Sequence, residues 1–269
     1  MTINKRLPTA IVLLGLLFLL IQYGGRVLTF LVLQAVIAAA LVEFYNLAAR
    51  KKLHPQKILG IILALCLGLA FFFRAEVQFE LALFGVLFLT GVYCLFSFTR
   101  VEHLPYFFQS VAVTFFGAVY LGFTLSYFFL IRFEWGPFYV YFLCSIICLG
   151  DTGAYYLGKL LGRRKMTPLA SPNKTWEGSA GGILFGVLGA WAARQILLPD
   201  ANLWRALLIG ALVHAVAQMS DPLESLFKRA VGVKDSSNIL PGHGGFLDRM
   251  DSFVLAAPFF YFLLRYFWK

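Results

Sequence analysis

Residues 27–49 read VLTFLVLQAVIAAALVEFYNLAA. As an α-helix rising about 1.5 Å per residue, a run of this length reaches about 34 Å, enough to cross a hydrocarbon layer about 30 Å thick. Comparable apolar stretches occupy about 7–22, 58–73, 81–99, 106–131, 138–158, 179–198, 204–220 and 252–268. The chain of 269 residues is 60% hydrophobic and 13% charged, against about 45–50% and about 25% in soluble domains. These features predict an all-α, polytopic integral membrane protein with about nine transmembrane helices, leaving almost nothing for a separate soluble domain. The first stretch, behind Lys5 and Arg6, lacks a small-x-small cleavage site and is followed by another long apolar segment, so it reads as a retained span.

Cys66, Cys94, Cys144 and Cys148 all sit within apolar segments and form no CxxC pair, so they read as small apolar fillers. The net charge of +10 is compatible with nucleic acid, nucleotide or anionic lipid. In a membrane chain, loops held at a negative leaflet account for it first, and no nucleic-acid partner is expected. With nine spans, the amino terminus and the loops near 50–57, 100–105, 159–178 and 221–251 share one side and hold 16 of the 23 lysines and arginines. The positive-inside rule makes that side cytoplasmic.

The two halves differ. Residues 1–137 read as an N-terminal bundle serving packing and dimerisation, with short connections and nothing in them resembling a site. Residues 138–269 carry two long polar loops and most of the carboxylates, prolines and glycines that interrupt the apolar pattern. Asp151 closes one span, either as a functional carboxylate or as a side chain reaching the interface or a lysine of the next loop. Arg163, Arg164 and Lys165 read first as a polybasic anchor on anionic lipid. Ser171, Asn173, Lys174 and Thr175 cluster donors on a Pro-ordered loop suited to phosphate oxygens.

His214, Gln218 and Asp221 fall at i, i+4 and i+7, a polar stripe that should face a partner helix or a wet cavity. Asp221-Pro222-Leu223-Glu224 also reads as a helix start, with Asp221 as N-cap. Beyond it, Leu223, Leu226, Phe227 and Ala230 oppose Lys228 and Arg229, the pattern of an interfacial amphipathic helix. The densest run is Lys234-Asp235, then Pro241-Gly-His-Gly-Gly-Phe-Leu-Asp-Arg-Met-Asp251. Its glycines permit an anion nest and His243 adds a donor, while Asp248 and Asp251, three apart at a helix start, offer hard oxygens suited to magnesium. A Pro-Gly turn with capping carboxylates explains the glycines and one Asp, but not His243, Arg249 and the second Asp together.

This region resembles the phosphatidate cytidylyltransferases, or CDP-diacylglycerol synthases. Their pattern is matched at every fixed position by Ser225, Lys228, Arg229, Lys234, Asp235, Pro241, His243, Gly244, Gly245, Asp248, Arg249 and Asp251. The segments Asp151-Thr-Gly-Ala-Tyr and Ser171-Pro-Asn-Lys-Thr-Trp-Glu-Gly look like that family's too, so the likeness spans roughly 150–252. One departure is Ser220, where the family usually has Gly before Asp221.

The resemblance implies a magnesium-dependent transfer of CMP from CTP to phosphatidic acid at the cytoplasmic face of the cell inner membrane. Asp221 and Asp248 would be the metal carboxylates, with Asp251 as ligand or neighbour. Lys174, Lys228, Arg229 and Arg249 would hold phosphates, Gly244 and Gly245 would cradle the triphosphate, and Ser171, Asn173, Thr175, Lys234 and His243 would line the substrate. A second cation and a homodimer are further carry-overs, and membrane lipids are its surroundings. The alternatives are a CTP-dependent lipid-alcohol kinase and an anion transporter. The paired half-repeats expected of the latter are absent from the sequence.

The division of cations can be checked on a variant without native cysteines. A cysteine replacing Lys52 or Lys165 should be shielded from an impermeant thiol reagent in intact cells, and one added after Lys269 should react. Equal labelling at both ends would overturn the odd span count.

Overall fold

A computed structural model describes residues 6–74, 76–237, 239 and 244–268. The helices are α1 (Arg6–Tyr23), α2 (Arg26–Arg50), α3 (Lys57–Phe72) and α4 (Phe79–Ser97). A 3-10 turn at Val101–Tyr106 then leads into α5 (Phe107–Gly117). π-Helical turns at Ala118–Phe123 and Ile131–Trp135 flank α6 (Thr124–Leu130), so the helical path is continuous over this stretch. α7 (Pro137–Leu161), strands β1 (Lys165–Thr167) and β2 (Ser171–Thr175), α8 (Trp176–Leu197), α9 (Leu203–Ala230) and α10 (Leu247–Phe267) complete the chain.

The protein is nearly all-α and polytopic. Each expected apolar stretch coincides with a helix, but seven helices among the described residues have both the length and the hydropathy to cross a membrane, rather than nine. The other two are α1 and α3, of which α3 (Lys57–Phe72) is the shorter. At 16 residues, α3 reaches only about 24 Å, short of a hydrocarbon layer about 30 Å thick.

The chain divides into two compact units, one of Met1–Phe129 with Val231–Arg249, the other of Leu130–Ala230 with Met250–Lys269. In the first, Tyr45 of α2 is fully buried, and its hydroxyl donates to Thr114 O of α5 at 2.7 Å. Gly60 of α3 and Gly117 of α5 lie flat against its ring. The polar turn after α2 is satisfied by side chains. Gln56 N donates to Thr114 Oγ1 at 2.8 Å, Gln56 Nε2 to Ser110 Oγ at 3.1 Å, and Tyr93 Oη to Gln56 Oε1 at 2.8 Å. Part-buried polar groups of this kind are satisfied within the protein. The outer face of α4, with Leu81, Phe84, Phe88, Leu95 and Phe96, is exposed, as a lipid-facing surface should be.

In the second unit, α7, α8 and α9 approach closely through small residues. Gly153 meets Phe185, Gly189 meets the Ser145 carbonyl, and Gly210 meets Ala190. Such contacts let helices pack where lipid tails remove the hydrophobic drive for association. The expected loop after α7 contains a two-stranded antiparallel hairpin, in which Lys165 pairs with Thr175 and Thr167 with Ser171. It is tied to the start of α8, because Glu177 Oε2 accepts from Arg163 N at 3.0 Å and Arg164 N at 3.1 Å. Thr175 caps the same helix, accepting from Gly178 N at 3.1 Å.

The largest correction concerns α9. It runs unbroken from Leu203 to Ala230 through Pro222, so Asp221 is a mid-helix residue and not an N-cap. Proline removes one backbone donor and strains the preceding turn, yet here buried Pro222 is held inside the helix by its packing. The separate amphipathic helix expected after it is absent. Lys228 and Glu224 are buried, and Leu226 is exposed.

Candidate active site

In the second unit, β2 and α9 bring Lys174 and Asp221 together, Nζ to Oδ2 at 2.7 Å, each side chain about one-third exposed. Ser225 Oγ, one turn on, donates to Asp221 Oδ1 at 3.3 Å. Ser252 of α10 donates its hydroxyl to Asp151 Oδ2 of α7 at 3.2 Å and its backbone N–H to Asp251 Oδ1 at 2.7 Å. Asp151, Asp221 and Asp251 act electrostatically on one another, with Lys174 acting on Asp151 and Lys228 on Asp251. Lys228 is itself paired with fully buried Glu224 at 2.5 Å. In this set the carboxylates outnumber the lysines by two.

Clustered hard oxygens with excess negative charge suit a divalent cation. Among the described residues, no three His, Cys, Asp or Glu side chains are gathered into a finished ligand set. The Lys174 ammonium instead supplies the positive charge against Asp221.

The stripe predicted on α9 faces helices. His214 is fully buried against Gly150 of α7 and Gly182 and Gly186 of α8, while Gln218 Nε2 donates to Ser179 O at 2.9 Å. Ser220, the departure from the family pattern, is buried and donates its hydroxyl to Asp251 O while accepting from Leu255 N at 3.3 Å. It therefore ties α9 to α10, a contact that glycine could not make.

In the first unit, the start of α10 is surrounded by carboxylates. Asp248 Oδ2 accepts from Ser236 N at 3.0 Å, Ser236 Oγ at 2.8 Å and Gly245 N at 2.9 Å. Glu43 of α2, 1% exposed, accepts from Ser236 Oγ at 2.9 Å, Ser237 Oγ at 2.6 Å, Phe246 N at 3.1 Å and Leu247 N at 2.9 Å. Gly244 has φ +79°, the backbone freedom expected of it. A Cβ on Gly245 would collide with Ser236 Oγ and the Glu43 carboxylate. The N–H groups of Gly245, Phe246 and Leu247 are thus directed to Asp248 and Glu43.

Of the remaining predicted positions, Asn173, Arg229, Lys234 and Arg249 are exposed, Ser171 is half-buried, and Thr175 is buried in its cap. Arg229 Nε donates to Ala170 O at 3.4 Å. His243 lies outside the described residues. Sequence reading missed Glu43, Ser236 and Ser252, and took Glu224 as part of a helix start where it instead pairs with Lys228. Glu43 was the discoverable one, as a carboxylate within an apolar span, which is costly unless it has a purpose.

The fold and these clusters define a polytopic membrane enzyme whose acidic and basic side chains gather on α7, α9, α10 and the β2 strand. The description of the cytidylyltransferase family matches residues 4–267. A phosphatidate cytidylyltransferase of Bacillus subtilis is 36% identical over 264 residues, covering 95% of this chain and 96% of that protein. Relatives of the same name from Staphylococcus epidermidis and Staphylococcus aureus are 41% and 38% identical over 168 residues, 62% of this chain and 64% of theirs. The chain belongs to the cytidylyltransferase family.

Gly245→Ala should lower stability by about 1–3 kcal/mol, the usual cost of overpacking, read as a lower melting temperature in detergent. Gly91→Ala is the control, since nothing lies within 4 Å of a Cβ there and the position is inside α4, so it should melt no lower than the parent. Equal melting of both variants would contradict the close approach at Gly245.

Proposed function

We propose that the chain transfers CMP from CTP to phosphatidic acid, giving CDP-diacylglycerol and pyrophosphate, in a magnesium-dependent reaction at the cytoplasmic face of the membrane. Family membership and the names of the relatives support the reaction. The observation that carries the site is the Lys174–Asp221 pair among Asp151, Asp251 and Lys228, because it places accessible positive charge beside hard oxygen donors. If all nine apolar stretches cross, the placement of 16 of 23 lysines and arginines on one side supports the orientation. A homodimer and a second cation belong to the same reading by family likeness alone.

Chemically, an oxygen of the lipid phosphate forms a bond to the α-phosphorus of CTP. The bond from that phosphorus to the oxygen bridging the β-phosphate breaks, and pyrophosphate leaves with the electron pair. The attacking oxygen is already anionic near neutral pH, so the protein's task is positioning and charge compensation. Two unit charges about 4 Å apart interact by about 4 kcal/mol at an effective dielectric of about 20, so uncompensated polyanions would not approach. Lys174, Arg229 and Arg249 offset that repulsion, with Lys228 contributing from within its buried pair with Glu224, and Lys174 can exchange Asp221 for a phosphate oxygen. By family likeness, Asp221 and Asp248, with Asp251 as ligand or neighbour, would hold magnesium, which would supply charge neutralisation to the triphosphate and its leaving group. Ser225 and Ser252 orient Asp221 and Asp151. Lys234 and His243, with Ser171, Asn173, Thr175 and the Gly244–Gly245 turn, complete the proposed substrate contacts. The acyl chains remain in the bilayer.

Purified protein given phosphatidic acid and magnesium should label lipid from α-labelled and not γ-labelled CTP. Lipid labelled only from the γ position would make it a kinase. Asp221→Asn should fold normally, since no cap is lost, and drop turnover by about 100-fold or more, as removal of charge from a metal ligand or its support does. Asp200→Asn should retain parental turnover. Near-parental turnover in Asp221→Asn would remove Asp221 from the site.

A further inference from the structure

Glu43 is a carboxylate 1% exposed on a helix apolar enough to span the membrane, and it belongs to none of the motifs of the proposed reaction. A charge there persists only when fully satisfied, and four donors converge on it. Oε1 accepts from Ser237 Oγ and Phe246 N, and Oε2 from Ser236 Oγ and Leu247 N. Leu247 begins α10 and Phe246 immediately precedes it, where helix N–H groups lack partners within the helix and the dipole favours negative charge. Glu43 thus caps α10 from another helix. Asp248 follows one residue later, in the same turn.

Ser236 links the two carboxylates. Its hydroxyl lies 2.9 Å from Glu43 Oε2 and 2.8 Å from Asp248 Oδ2, but it has a single proton and can donate to only one of them at a time. A cation engaging Asp248 would release that proton to Glu43. Cation binding and the Glu43 clamp would therefore strengthen each other. Ser237 bonds Glu43 at 2.6 Å and has no such link to Asp248 among the bonds described.

We propose that Glu43 is a positioning residue that, through Ser236 and the first turn of α10, presents Asp248 to a divalent cation. This rests on the reading of Asp248 as a metal carboxylate. The geometry also explains why Gly245 tolerates no side chain, since its Cβ would enter the space between Ser236 Oγ and Glu43.

The test uses the full chain in detergent as parent, Ser236→Ala, Ser237→Ala and Glu43→Gln. Manganese(II) binding is followed by the paramagnetic signal of the free ion, alongside melting temperature and lipid labelling from α-labelled CTP. Ser236→Ala should weaken manganese binding by about 10-fold or more, the usual effect of removing a residue that orients a metal ligand. Ser237→Ala should leave it within about twofold, although each variant removes one bond to Glu43. Glu43→Gln should follow Ser236→Ala, because an amide NH2 would face donors that cannot turn away.

Equal effects on manganese binding in the two serine variants, or none in either, would reduce Glu43 to a structural staple, whatever the melting temperatures. Parental protein that binds no manganese would overturn the proposal as well. If Glu43→Gln does not fold, the serine pair decides alone. Parental protein that shows the predicted binding pattern but labels no lipid would keep the positioning role and overturn the proposed reaction. An active parent without the pattern would do the reverse.

Discussion

Hydrocarbon offers no hydrogen bonds, and that constraint governs both units of this protein. Helices satisfy their own backbone, so the apolar stretches have no other stable form in a bilayer. Every interruption of that regularity must find partners in side chains. Around Gln56 they come from Ser110, Thr114 and Tyr93. At the start of α10 they come from Glu43 and Asp248. Threonine and serine hydroxyls on α5 and α6 return to carbonyls one turn earlier, as Thr114 does to Ser110 and Ser126 does to Gly122.

The same low-dielectric surroundings give the polar clusters their chemical character. A carboxylate near another carboxylate and away from water attracts a cation far more strongly than a solvated one. Lys174 answers Asp221, and Lys228 answers Glu224. The two pairs differ, because Lys228 and Glu224 are buried together whereas Lys174 and Asp221 are about one-third exposed. An accessible ion pair can be opened by a phosphate at modest cost. A buried one holds its helix in place and resists exchange.

Much of this was legible without coordinates. Span positions followed from hydrophobic run length, because length against bilayer thickness is a local property of the chain. The direction of the α9 stripe followed from helical periodicity, and His214 and Gln218 do face α8. The reading failed where two local rules gave different answers. Asp221-Pro222-Leu223-Glu224 satisfies the rules for a helix start, yet Pro222 is packed inside a continuous helix. Lys228 was placed on a solvated face because lysine usually is, and its burial follows from Glu224 sitting one turn before it.

By itself, the sequence determined the number and approximate limits of the apolar segments, the helical class and the chemical type of the groups gathered near Asp221 and Asp248. These depend on run length, periodicity and residue type. Only the tertiary structure decided which polar groups answer one another. Glu43 and Leu247 stand 204 positions apart and share a hydrogen bond at 2.9 Å. Asp151 and Ser252 stand 101 apart and share one at 3.2 Å. No periodicity encodes such pairs, because they arise from the crossing of helices whose register is set by packing over their whole length.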